Sequence, residues 1–199
     1  MPQLRSPDKV VIETERLILR LPRRGDESGL ARFYLENRAH LQPFSPTLSD
    51  DLFSVRGWRG RIDATLAEYR NGKGVRLVIF RKSGQSQNGV PRVAGVANFT
   101  LITFFPGYSC NLGYSIAESD QGRGMMTEAL RAAIGYAFAE LGLHRIEANY
   151  MPRNERSARV LERLGFVIEG HAKDYLLIDG KWEDHVRTSL TNVRWNAER

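Results

Sequence analysis

The segment SDQGRGMMTEAL, residues 119–130, gathers residues whose types and spacing could do chemistry. Gly122 and Gly124 flank Arg123, and a helix-forming run starts at once. A helix N-terminus presents unpaired N–H groups and a partial positive charge. Glycines just ahead of it let a phosphate approach those groups closely, and Arg123 can add a charge-assisted contact. The turn reads as a cradle for a phosphate or pyrophosphate. From Gly-x-Gly alone, a plain tight strand-to-helix turn is the better reading. A Walker loop needs Gly-Lys followed by Ser or Thr, and no Lys is present here. A dinucleotide fingerprint needs a third glycine where Thr127 stands.

Farther along, NERSARVLERLGF (154–166) opens with a good helix N-cap, Asn154, and places the Ser157 hydroxyl in the first turn. Other chemistries lack their residues. The four histidines (40, 144, 171, 185) have no paired metal-ligand spacing, and the single cysteine, Cys110, cannot build a thiolate site. No metal site is expected, and His185 reads as structural. No Gly-x-Ser-x-Gly elbow supports a serine hydrolase.

The elements that must position these residues follow from periodicity. ERLILRLP (15–22) alternates as a strand ending at a proline, and GDESGLARFYLENRAHL (25–41) has helical spacing. PFSPTLSD (43–50) is a loop, and WRGRIDATLAEYRNGKG (58–74) a second helix ending near Gly72. Strands are expected at 75–80, 93–102 and 110–116, with a polar turn over 81–92. After the glycine turn, Leu130, Ala133, Ile134, Ala137, Phe138 and Leu141 form one stripe of a helix packed on a sheet. RIEANY (145–150) is a strand, and 154–166 a helix with Val160, Leu161 and Leu164 inward and Gly165 as its cap. Two strands follow around Asp179–Gly180, a hairpin signal. The order β-α-α-β-β-β-α-β-α-β-β implies a mixed α/β fold with a partly antiparallel sheet. No composition break divides it, so one domain over 1–199 is expected, its core about 13–192.

Composition bounds the function classes. Of 199 residues, 42% are hydrophobic and 26% charged, as in a soluble globular protein. No run is long enough to cross a membrane, and the N-terminus lacks the apolar core of a signal peptide. With one cysteine no internal disulfide forms, which favours the cytoplasm. The net charge of +6 suits an anionic ligand or an RNA-rich partner, without a block of like charges that would single one out.

The glycine turn resembles the acetyl-CoA signature of the GCN5-related N-acetyltransferase (GNAT) superfamily, Gln or Arg, two residues, Gly, one residue, Gly or Ala. Gln121 and Gly124 match, while Met126 stands where a small residue is usual. The 154–166 segment is similar to that family's second motif, Asn-x-x-Ser ahead of an apolar helix ending in Gly-Phe. TERLILR, YLENRAHLQPF, LGYSI, ANYMPRNERS and KDYLLIDGKWEDHV extend the resemblance over nearly the whole chain, toward the family branch that acetylates N-terminal alanine on ribosomal proteins.

The resemblance implies the GNAT acyl-CoA N-acyltransferase fold and acetyl-CoA as co-substrate, without a metal. Ile116, Gln121, Gly122, Arg123, Gly124, Met125, Met126, Thr127 and Asn154 would hold the cofactor, Ile116 near the thioester on a strand that pairs with the pantetheine arm. Ser157 would donate to the departing thiolate, since the tyrosine many members carry on the second-motif helix is absent. Glu147 would be the general base, with Tyr150, Glu118, Asp174 and Asp184 as other possibilities. A free α-amine, with a pKa near 7.7–8.0, needs little help from one. Asn37, Arg38, Phe44 and Tyr150 would line the peptide side.

Three functions share these motifs. The first is an N-terminal protein acetyltransferase acting on a small-subunit ribosomal protein, with the ribosome or its RNA as a docking partner and no membrane. The second is an acetyltransferase for a small amine such as an antibiotic, polyamine or amino acid, against which the basic charge argues weakly. The third is a non-catalytic ribosome- or RNA-binding module, for which no nucleic-acid motif is present.

Overall fold

A computed structural model describes residues 4–82 and 92–196. The expected polar turn at 81–92 falls largely outside them.

Among the described residues, eight strands form one sheet in the order β1-β2-β3-β4-β5-β6-β8-β7. They are β1 (Val11–Glu13), β2 (Leu17–Arg20), β3 (Val75–Arg81), β4 (Val93–Thr103), β5 (Ser109–Ile116), β6 (Arg145–Tyr150), β7 (Val167–Ile178) and β8 (Lys181–Thr191). The helices are α1 (Glu27–Glu36), α2 (Arg38–Leu41), α3 (Val55–Arg70), α4 (Met125–Ala139) and α5 (Glu155–Arg163). All neighbouring strands are antiparallel except β5 and β6, which α4 connects as a parallel crossover.

The sheet is covered on both faces. β3 shows why: its apolar run sends Leu77 and Ile79 into one core and Val78 and Phe80 into the other. The first core carries Leu130, Ala133, Ile134 and Ala137 of α4 with Leu161 of α5, and the second Leu30 and Phe33 of α1 with Trp58 and Ile62 of α3. α5 ends as its sequence asks. Phe166 N–H reaches Leu161 O (3.0 Å) and Gly165 N–H reaches Glu162 O (3.0 Å), the two bonds of a Schellman motif.

The structure adds two elements and shifts one. β1 escapes sequence reading because three residues are too few to show a period. The helix expected over 25–41 breaks at Asn37, whose Nδ2 donates to Phe33 O at 2.8 Å and competes with the helix ladder. α3 starts at Val55 rather than 58, because Ser54 Oγ accepts from Gly57 N–H (3.0 Å) and caps it earlier.

Candidate active site

Gly122 and Gly124 have φ of +71° and +72°, a left-handed backbone that costs an L-residue about 1–2 kcal/mol. A Cβ on Gly122 would meet nothing within 4 Å, so the turn is open above its backbone. Gly124 is the N-cap of α4 and supplies no side-chain cap, which leaves the first-turn N–H groups free for an anion. Met125 and Met126 send their side chains into the core and offer the turn only their backbone. Arg123 stays exposed, and its carbonyl accepts from Arg16 Nη1 at 2.9 Å.

The turn is held from below by a clamp absent from the motif. Glu128 accepts from Thr14 Oγ1 (2.6 Å), Arg16 N–H (3.0 Å) and Arg16 Nε (2.6 Å). Burial pushes the Glu128 carboxyl up, but these three bonds and the guanidinium charge outweigh it and hold the group below its ordinary 4.5. Gln121 ties the turn sideways: its amide meets His40 Nε2 at 2.8 Å and accepts from Arg156 of α5.

Beside the turn the sheet opens. β5 and β6 pair only at Ser109–Arg145, Cys110–Ile146 and Asn111–Glu147, although β5 runs on to Ile116 and β6 to Tyr150. Past Asn111 the β6-facing backbone of β5 has no strand partner there, and a V-shaped cleft results, its mouth at Ile116. A cavity of about 300 Å³ lies elsewhere, walled by Tyr34, Trp58, Arg61 and Glu68 among others, and none of its walls belongs to β5, β6 or α5.

Two hydroxyls meet in the cleft on the α4–α5 face. Asn154 caps α5 by accepting from Ser157 N–H (3.1 Å), which turns Ser157 toward β5. Its Oγ lies 2.7 Å from Tyr114 Oη, which is also 3.3 Å from the Ser157 carbonyl. Burial, offset in part by the Ser157 bond, holds the Tyr114 phenol far above its ordinary 10. It is therefore a hydrogen-bonding hydroxyl rather than a proton source. The helix tyrosine missing from the sequence motif is answered by one from the strand. Tyr114, Ile116 and Tyr150 all pack against the core on this face, so Tyr150 stands here, apart from Asn37, Arg38 and Phe44.

The other face of the cleft is arched over. Gln42 Nε2 donates to Asp179 Oδ1 (2.6 Å), Asp179 N–H to Ser45 O (3.1 Å), and Arg153 to both Pro43 O (3.2 Å) and Glu183. The segment after α2 and the tip of the β7–β8 hairpin thus meet above the sheet. Asn37 is buried, and its Oδ1 accepts from Glu118 N–H at 2.9 Å, so both ends of its amide bind backbone and fix α1 to the end of β5. Arg38 lies over the Phe53 ring at 4.5 Å, and Phe44 is 41% exposed at the arch. Glu147 is held by Arg145 Nε at 3.0 Å with Arg187 Nη2 at 3.8 Å.

Comparison with known proteins decides the family. Residues 16–167 match the acetyltransferase (GNAT) domain. The chain belongs to that family. It is 42% identical to the [ribosomal protein uS5]-alanine N-acetyltransferase of Escherichia coli K12 over 96% of this chain and 95% of that one. The structure of the ribosomal-protein-S5-alanine acetyltransferase of Vibrio fischeri superposes with a TM-score of 0.87 at 37% identity, covering 94% of this chain and all (100%) of the other. Mycobacterium smegmatis RimJ, solved in complex with CoA-disulfide, gives 0.80 at 31% identity over 88% of this chain and 81% of that one. The GNAT fold expected from the motifs is the fold observed. The sequence did not reveal the Tyr114 hydroxyl, His40, or the Arg16–Glu128 clamp. Tyr114 carried a signal only in its parity with Cys110, Leu112 and Ile116.

Proposed function

We propose that this acetyltransferase moves the acetyl group of acetyl-CoA to the α-amine of an N-terminal alanine on a small-subunit ribosomal protein, in the cytoplasm. The observation that carries it is the β5–β6 splay beside a glycine-built, uncapped helix N-terminus. The residues fit the co-substrate. Gly122, Arg123, Gly124 and the N–H groups of Met125, Met126 and Thr127 hold the pyrophosphate, Gln121 and Asn154 shape the walls, and the free edge of β5 up to Ile116 pairs with the amide-bearing arm. The acceptor enters beneath the arch, past Arg38 and Phe44, with Asn37 holding that wall in place.

A neutral amine attacks the thioester carbonyl, whose oxygen gains charge and is met by backbone N–H of β5. The C–N bond forms, the C–S bond breaks, and its electron pair stays on sulfur. Ser157 hydrogen-bonds that sulfur, with Tyr114 behind it. The surplus of positive charge suits docking on ribosomal RNA.

The test is CoA release with peptides beginning Ala, Ser, Met or blocked Ala, beside spermidine and an aminoglycoside. Turnover with free Ala peptide and none with the blocked one supports the proposal. Turnover with small amines alone overturns the substrate. Ser157→Ala is expected to slow turnover at unchanged acetyl-CoA affinity.

A further inference from the structure

Across the sheet from the Tyr114–Ser157 pair, under the arch, three polar side chains from three strands form a cluster outside the glycine turn and the 154–166 helix motif. Asn149 of β6 pairs in register with Arg187 of β8, which makes His185 its diagonal neighbour on the same face. Tyr175 of β7 joins them. Asn149 Nδ2 lies 3.5 Å from Tyr175 Oη, and the Tyr175 and His185 rings are 5.6 Å apart.

The hydrogen-bonding balance of this cluster is one-sided. Asn149 Oδ1 is buried with no partner. His185 is 4% exposed, and its Nδ1 lies 2.9 Å from the Glu183 carbonyl. A carbonyl only accepts, so Nδ1 carries the proton, and in the neutral ring Nε2 keeps its lone pair. Among the described residues no group bonds to Nε2. Two acceptors thus wait beside the point where β5 and β6 part. Asn149 Oδ1 is buried without a donor, which is costly, and a ligand rich in N–H would relieve it. An amine is such a ligand.

Glu147 serves that role less well, since guanidinium groups of Arg145 and Arg187 already engage its carboxylate. The charged and titratable groups around His185 are Glu183 and Arg187 on β8, Tyr175 on β7, Glu147 on β6, and Arg153, which binds Glu183.

We infer that Asn149 and His185 form the acceptor-amine subsite, Asn149 Oδ1 orienting the nitrogen and His185 Nε2 accepting its proton as the C–N bond forms. Tyr175 is a positioning residue that lies against both. The proton passes from nitrogen to Nε2 and on to solvent, and the thiolate left by C–S cleavage takes one back from solvent. The inference rests on the proposed N-acetyl transfer.

The test uses full-length enzyme with His185→Gln, which stays polar but cannot take the proton, and Asn149→Leu. His185→Gln is expected to lose about 10²–10⁴-fold in kcat/KM for a free Ala peptide, with acetyl-CoA affinity unchanged by calorimetry. Asn149→Leu is expected to raise the peptide KM about tenfold with kcat little changed. His185→Gln within threefold of wild type across pH overturns the inference, as does a loss matched by lost acetyl-CoA affinity. Nitrogen-15 histidine NMR gives a readout independent of turnover. Free Ala peptide must shift the His185 signal and N-acetylated peptide must not. Absence of that difference sinks the subsite. Wild type silent toward peptides but active on spermidine overturns the substrate reading alone, and the His185→Gln ratio is then read on spermidine.

Discussion

Replacing Tyr114 by Phe removes one oxygen and leaves the ring that packs against the core. That oxygen lies 2.7 Å from Ser157 Oγ and 3.3 Å from the Ser157 carbonyl, beside the β5–β6 cleft. The phenol is held protonated by burial, and its hydroxyl fixes the Ser157 rotor; with Tyr114 as donor to Oγ, the serine proton is left to point at a departing sulfur. Deleting a partner of a largely buried hydroxyl costs about 1–2 kcal/mol. If that loss falls on the transition state and not on the bound ground state, kcat falls by about 5–30-fold. Acetyl-CoA affinity stays unchanged, because the glycine turn and the strand edge are untouched. Any loss of global stability of the same size lowers Tm by about 2–8 °C for a domain of this size. The assay is CoA release with a saturating acceptor, run on Tyr114→Phe, Ser157→Ala and the double variant. Two residues acting as one unit give a double variant no slower than Ser157→Ala alone. Wild-type kcat in Tyr114→Phe, or single effects that multiply in the double variant, would refute the reasoning.

Two further outcomes follow from the glycine turn. Gly124→Glu puts a left-handed non-glycine at the helix N-cap and a negative charge in the proposed phosphate cradle, so acetyl-CoA binding is expected to vanish in calorimetry while the fold survives with Tm lower by about 2–8 °C; normal affinity would place the cradle elsewhere. Glu128 has its folded pKa depressed, so the clamp's contribution is fully present above the unfolded value near 4.5 and is lost as pH falls through the folded value. Glu128→Gln is therefore expected to lower Tm at neutral pH by about 2–4 °C, about 1 kcal/mol after solvent screening, with the gap closing under acid. A gap constant with pH would remove the charge from the explanation.

Much of the site was legible because its signals are local. Gly122 and Gly124 announce a left-handed turn before a helix, Asn154 announces a cap three residues ahead of the N–H it binds, and the α4 stripe announces the core it faces. Each depends on backbone geometry within a turn or two of the chain. The break at Asn37 is also local, yet a polar residue at a helix end and one inside a longer helix look alike without knowing that Glu118 N–H occupies the other half of its amide.

What remained hidden depends on strands far apart in sequence. Period-two alternation says that Tyr114 and Tyr150 each lie on one face of a strand, but which face only the assembled sheet decides, and both fall on the α4–α5 side. The splay past Asn111 and Glu147 is set by where two strands stop pairing, and neither strand's own residues record it. His185 read as an ordinary buried histidine, and His40 as one of four scattered ones. Only the β6–β8–β7 register brings Asn149, Tyr175 and His185 together, and only the approach of α2 to the glycine turn gives His40 its contact with Gln121. The sequence by itself determined the cap and C-terminal stop of α5, the left-handed glycine turn before α4 and the family; tertiary structure decided which side chains share the cleft, because that rests on long-range register and on the face each strand presents.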